Sequence, residues 1–122
     1  MAPKPTPQHG AVGDPVADDS EHYNVELEND RVRVLRIKYG PGEKSIMHRH
    51  PVTIAIFLNN ATFRITYPDG RSENGTARAG EVMHLQELEH LPENTGQEPF
   101  EVIAVELKPS IPVSPYRASR PA

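Results

Sequence analysis

The 122-residue chain contains no cysteine and no tryptophan. Without cysteine there are no disulfides, no thiolate metal ligands and no cysteine nucleophile. The compartment is not settled by this, because a cysteine-free chain folds in either redox environment. No apolar run approaches the ~18 residues that span a bilayer, so no membrane partner is expected. A basic excess is missing too. Thirteen Lys and Arg stand against seventeen Asp and Glu, a net charge of −4, which offers no field for nucleic-acid phosphates or an anionic lipid surface. The first residues, M-A-P-K-P-T-P-Q-H-G, lack the apolar stretch of a signal peptide. The cytoplasm is therefore the default compartment, and an exported mature form stays compatible with the sequence.

Apolar content is 36% and aromatic content 6%, both lean for a globular chain. The shortfall gathers at the ends. Of thirteen prolines, Pro3, Pro5, Pro7 and Pro15 lie near the start and Pro109, Pro112, Pro115 and Pro121 near the finish. The expected organisation is a proline-rich tail over 1–20, one domain over 21–108 and a second proline-rich tail over 109–122. A chain of this length buries roughly 60–70% of its unfolded surface, so folding needs no metal or disulfide.

The middle reads as β-structure throughout, with no substantial helix. Asp30 to Tyr39 alternates Val32 and Val34 with Arg31 and Arg33, then shifts phase to Leu35, Ile37 and Tyr39. Such a shift predicts a bulge or a bend between sheets. Pro51 to Leu58 is rich in β-branched residues and ends at Asn59-Asn60, a pair suited to the positive φ of a type I′ hairpin. Phe63, Ile65 and Tyr67 alternate with Thr62, Arg64 and Thr66 before Pro68-Asp69-Gly70 turns the chain. Arg71 to Ala77 reads as a polar edge strand, bulged near Asn74-Gly75. Glu81 to Gln86 and Phe100 to Leu107 complete the set, with Glu106 read as facing outward. Seven or eight short strands separated by turn signals predict an antiparallel sandwich or small barrel.

The chemistry-bearing segment is G-E-K-S-I-M-H-R-H, from Gly42 to His50. On a strand, His48 and His50 share one face, and a third imidazole follows at His90 in H-L-P-E-N-T-G. Imidazole is the commonest metal-ligating side chain and suits zinc, copper, iron and nickel. Phe63, Ile65 and Tyr67, with Met47 and Ile54, are expected to line an apolar interior. His84 is a further pocket candidate on the strand Glu81 to Gln86, and Ser45 and Thr53 are available as hydroxyl partners.

These two segments resemble the motifs of the cupin superfamily, jelly-roll or double-stranded β-helix barrels with a metal in the mouth. Gly42, His48 and His50 match the first motif. His90 and Asn94 match the second, with Gly80 at its opening turn and Thr95-Gly96 continuing it. The resemblance covers about residues 25 to 107. It departs in two places: the glutamate of the first motif falls at Ile54 or Ala55, both apolar, and the proline and second glycine inside the second motif are replaced by Q-E-L-E ahead of His90. The ligand set it implies is thus His48, His50 and His90 alone, similar to that of three-histidine cupin dioxygenases.

A divalent metal on three neutral imidazoles keeps both positive charges and attracts an anionic ligand strongly. Three protein ligands also leave open positions, as catalytic sites require. The resemblance implies a metal-dependent enzyme, dioxygenase-like, with Fe(II) favoured over Zn, Ni, Mn or Cu. Its partner would be a small chelating organic anion. With zinc the same geometry would favour hydrolase or lyase chemistry. A non-catalytic module that holds a small ligand or metal is the alternative, and a storage role with a vestigial site is the third. Small cupins are usually homodimers, which is the expected assembly.

Overall fold

Apolar side chains alternating with polar ones drive most of this chain into short strands, and the computed structural model describes residues 12–109. Residues 1–11 and 110–122, most of the two expected tails, lie outside the described residues. One turn of helix, α1 (Pro15–Asp18), precedes nine strands: β1 (Tyr23–Glu28), β2 (Val32–Tyr39), β3 (His48–His50), β4 (Thr53–Phe57), β5 (Ala61–Thr66), β6 (Ser72–Ala77), β7 (Val82–Leu85), β8 (Leu88–Asn94) and β9 (Phe100–Leu107). Asp14 caps α1 by accepting from the Ala17 amide, and Pro15 occupies the first turn, where its missing N–H costs nothing. The folded unit therefore starts before residue 21, earlier than the boundary that proline content suggested. Pro15 is fully buried, and the Arg49 amide donates to the Gly13 carbonyl at 3.0 Å.

The strands form a five-stranded sheet in the order β1-β2-β9-β4-β7 and a four-stranded sheet in the order β3-β8-β5-β6. Every strand pairing is antiparallel. The chain passes back and forth between sheets, and the result is an all-β jelly roll, or double-stranded β-helix. Its two sheets face each other without hydrogen-bonding into a closed cylinder. Leu35, Ile37, Tyr39, Phe57, Phe100 and Val102 supply most of the core between them.

Three local expectations change. β2 pairs with β9 without a break from Val32↔Leu107 to Tyr39↔Phe100. The irregularity lies instead in β1, between Val25 and Leu27. The apparent phase shift in β2 arises because Arg33 shares the inward face with Leu35 and Ile37, where an ion pair holds it. Asn59-Asn60 is not a hairpin turn, since β4 and β5 lie in different sheets and no residue but glycine has positive φ among those described. These asparagines act through their amides: Asn59 bridges Pro99 and Glu101, and Asn60 accepts from Ala79. β6 is an edge strand as expected, but its register with β5 is unbroken. Gly75 lies opposite Phe63, and a Cβ there would stand 2.6 Å from the ring. That glycine accommodates an aromatic neighbour rather than a bulge.

Candidate metal centre

Two loops bring the histidine segments together. Gly42 adopts φ +77°, a conformation glycine reaches without strain. Its amide donates to the Asn94 carbonyl at 2.9 Å, and the Asn94 amide donates to Glu43 at 2.8 Å. The Asn94 side chain, fully buried, donates to the carbonyls of Tyr39 and Glu98 and accepts from the Gly96 amide. It closes the loop and does not reach the imidazoles by any of these bonds. From this junction β3 and β8 run antiparallel, with His48 directly opposite His90.

His48, His50 and His90 are 0%, 5% and 8% exposed. Their ring centroids are 4.8, 4.8 and 5.1 Å apart, and the rings are nearly perpendicular to one another. One nitrogen from each ring lies within 4.8 Å of the others. The Nε2 atoms of His48 and His90 are buried without a hydrogen-bond partner. An orphaned buried polar atom costs about 1–3 kcal/mol, and three converging imidazole nitrogens are what a divalent transition ion binds. The residues present therefore fit a metal. Burial, followed by the neighbouring His50, pushes His48 down to about 3. Burial and the other two imidazoles hold His90 well below the usual range. Both rings are neutral at physiological pH, as ligation requires.

No family model matches the chain, and no curated protein does. Solved structures do. A cupin domain from Bordetella pertussis superposes with a TM-score of 0.67 at 24% identity, over 71% of this chain and 92% of that one. A cupin superfamily protein from Desulfitobacterium hafniense gives 0.56 at 14% identity, over 89% and 94%. An RmlC-like cupin family protein with a double-stranded β-helix fold, from Methanocaldococcus jannaschii, gives 0.56 at 17% identity, over 74% and 84%. The chain has the cupin fold.

Behind the imidazoles of this cupin fold lies a residue that sequence reasoning misplaced. Glu106 is 2% exposed, not outward-facing. Its carboxylate accepts from His50 Nδ1 at 2.7 Å and from Arg33 Nε at 2.8 Å. Burial works to raise its pKa, but those two donors outweigh it and hold the carboxyl below its ordinary value. Part of the signal was available, since Glu106 is in phase with the inward-facing Val102 and Ala104, but its cross-strand pairing with Arg33 appears only in the folded sheet. Ser45 is also buried, 3.1 Å from His48 Nδ1.

The cupin interior beside the histidines is a cavity of about 190 Å³. Phe63, Ile65 and Tyr67 line it, together with Tyr23, Tyr39 and Phe100, which sequence reasoning had not assigned to it. Met47, Ile54 and His84 do not. Ile54 and His84 face each other across β4 and β7 on the side away from the cavity, and His84 is exposed. Ile54 thus does not fill the place of the absent carboxylate, and His84 supplies no ligand. Met47 is half-buried just ahead of β3. The Tyr67 hydroxyl donates to Glu73 at 2.6 Å and so is spent at the rim. The Tyr23 and Tyr39 hydroxyls meet at 2.6 Å, and burial raises both phenol pKa values, which keeps them protonated.

Among the described residues no helix is long and apolar enough to cross a membrane.

Proposed function

We propose that this chain is a mononuclear metal-dependent cupin enzyme, a dioxygenase that uses iron(II) to oxidise a small, mostly apolar, chelating organic anion. The observation that carries this reading is a trio of buried imidazoles, two of them with bare Nε2 atoms, beside a cavity walled largely by apolar side chains. His48, His50 and His90 would hold the ion. Bound there, iron(II) would supply open positions for a substrate and dioxygen, and two uncompensated positive charges. Among the described residues no lysine or arginine lines the cavity, so the counter-charge for an anionic substrate would come from the metal centre. Phe57, Phe63, Ile65 and Phe100 would pack its carbon skeleton and exclude water. Dioxygenation places both oxygen atoms in the product, so no external reductant is required.

The test is oxygen uptake by protein purified without an affinity tag and loaded anaerobically with iron(II), against a panel of β-diketones and small thiols. Uptake equal to substrate consumed, lost in His90→Ala, supports the reading. Full occupancy by zinc in the protein as isolated, with no uptake across the panel, refutes it. Among the described residues no carboxylate lines the cavity wall, which favours a second reading, a non-catalytic module for a small ligand. A silent panel beside a clear ligand-induced rise in melting temperature would select it. A homodimer belongs to the same proposal, supported by Val25 and Leu27 exposed on the edge strand β1. Sedimentation showing only monomer at micromolar concentration would remove it.

A further inference from the structure

The stretch from Gly13 to His22 reaches the metal centre from behind by two separate chains of hydrogen bonds. In one, Asp14 accepts from both terminal nitrogens of Arg33, Arg33 Nε donates to Glu106, and Glu106 accepts from His50 Nδ1. In the other, Asp19 accepts from the Ser45 hydroxyl at 2.5 Å, and that hydroxyl lies 3.1 Å from His48 Nδ1. His22 braces Asp19, with Nδ1 at 2.8 Å from its carboxylate and Nε2 at 3.1 Å from Glu43.

The inventory of protons gives these chains a direction. An ionised carboxylate only accepts, and a serine hydroxyl has one proton to give. Ser45 gives its proton to Asp19, so toward His48 it can only accept. His48 Nδ1 must then carry the proton. Glu106 has no proton to give either, so His50 Nδ1 carries one as well. A neutral ring so protonated keeps its lone pair on Nε2, and the Nε2 of His48 is buried with no hydrogen-bond partner.

We propose that Ser45 with Asp19, and Glu106 with Arg33 and Asp14, are positioning residues that lock His48 and His50 in the Nδ1-protonated tautomer, the form that ligates through Nε2. The negative charge missing from the first-motif glutamate position is thereby moved one hydrogen bond outward, behind His50. Carboxylates placed this way orient a ligating imidazole and raise its basicity. The segment ahead of β1, which composition marks as a tail, becomes part of what builds the site. This inference rests on the metal reading for its effect on affinity, but the tautomers are a property of the metal-free protein.

The experiment has two arms. Long-range ¹H–¹⁵N correlation of the ¹⁵N-labelled apoprotein reads the tautomer of each histidine, and chelator competition reads the dissociation constant for zinc(II). The wild type should show His48 and His50 protonated on Nδ1. Ser45→Ala should release His48 to a tautomer mixture and weaken zinc binding about 10–100-fold. Ser45→Thr, which keeps the hydroxyl, should restore both. Glu106→Gln should weaken binding by a similar factor, and Asp14→Asn, two bonds further out and touching no imidazole, by less. Unchanged tautomers and unchanged zinc affinity in Ser45→Ala and Glu106→Gln would overturn the proposal. A wild type that takes up no zinc would instead overturn the metal reading, and the apoprotein tautomers would then decide the positioning role alone.

Discussion

Metal-free protein should lose stability on mild acidification, before its carboxylates titrate. Burial, then the neighbouring His50, pushes His48 down to about 3, and burial with its neighbours holds His90 well below the ordinary value. In the unfolded chain both return to about 6.5. Below that pH the unfolded state takes up protons that the folded state refuses. Stability is therefore whole above about pH 6.5 and falls as pH drops toward the folded values. At pH 5 His48 alone costs RT ln(1 + 10^1.5), about 2 kcal/mol, and His90 adds to the loss in the same direction. Glu106, Asp14 and Glu43 are held below the ordinary carboxyl range, so their contribution is lost only at lower pH. His22 works in the opposite sense. Burial acts to lower its pKa, but hydrogen bonds to Asp19 and Glu43 outweigh it, so its contribution is complete at low pH and fades as pH rises. Urea unfolding of chelator-treated protein at pH 7.5, 6 and 5, followed by circular dichroism, measures the sum. The same series on His48→Asn/His90→Asn isolates the pair, because His22 is common to both proteins. The wild type should lose at least about 2 kcal/mol more than the double variant between pH 7.5 and 5. Parallel profiles would show that these imidazoles are not buried as neutral rings, and the account of the centre would fail.

Saturating the protein with zinc(II) at a hundred times its dissociation constant should add about 2.7 kcal/mol, a rise of roughly 10–20 °C in melting temperature. His90→Ala should abolish that rise in a thermal scan. Arg33→Met leaves Glu106 buried with His50 as its one remaining hydrogen-bonding partner among the described residues, which should cost about 3–5 kcal/mol in denaturant unfolding. Arg33→Met/Glu106→Leu removes the buried charge but leaves His50 Nδ1 without its acceptor, so it should recover only part of that, and no recovery would argue against the buried pair. Gly75→Ala drives a Cβ to 2.6 Å from the Phe63 ring and should destabilise by about 1–3 kcal/mol. Replacing Phe63 with Leu in the same chain should relieve the loss.

Much of the site was legible because its signal is local. His48 and His50 share a face by the two-residue period of a strand, and that period holds wherever the segment pairs. The same rule put Phe63, Ile65 and Tyr67 on one face, and all three meet the cavity. Charge obscures the same rule elsewhere. Glu106 is in phase with Val102 and Ala104, yet its charge points to solvent. Arg33 is alike, and its inward position mimics a break in the strand. A buried ion pair looks like two errors of patterning until its halves are placed side by side. Asn59-Asn60 misled for another reason. Two asparagines can turn a hairpin through their backbone or tie a loop through their amides, and only the partners across the loop distinguish these uses.

By itself the sequence determined that the chain is β-structured, that two imidazoles point the same way and that no cysteine takes part. These follow from residue type and from a spacing of one or two positions, which physics converts directly into direction. Only the tertiary structure decided that His90 stands opposite His48, that residues 13–20 are part of the folded unit, and that a carboxylate stands behind His50 and none before it. Arg33 and Glu106 are 73 residues apart in the chain and 2.8 Å apart in space. No local pattern encodes that approach, because it depends on the register in which β2 and β9 pair once the two sheets have closed over the core.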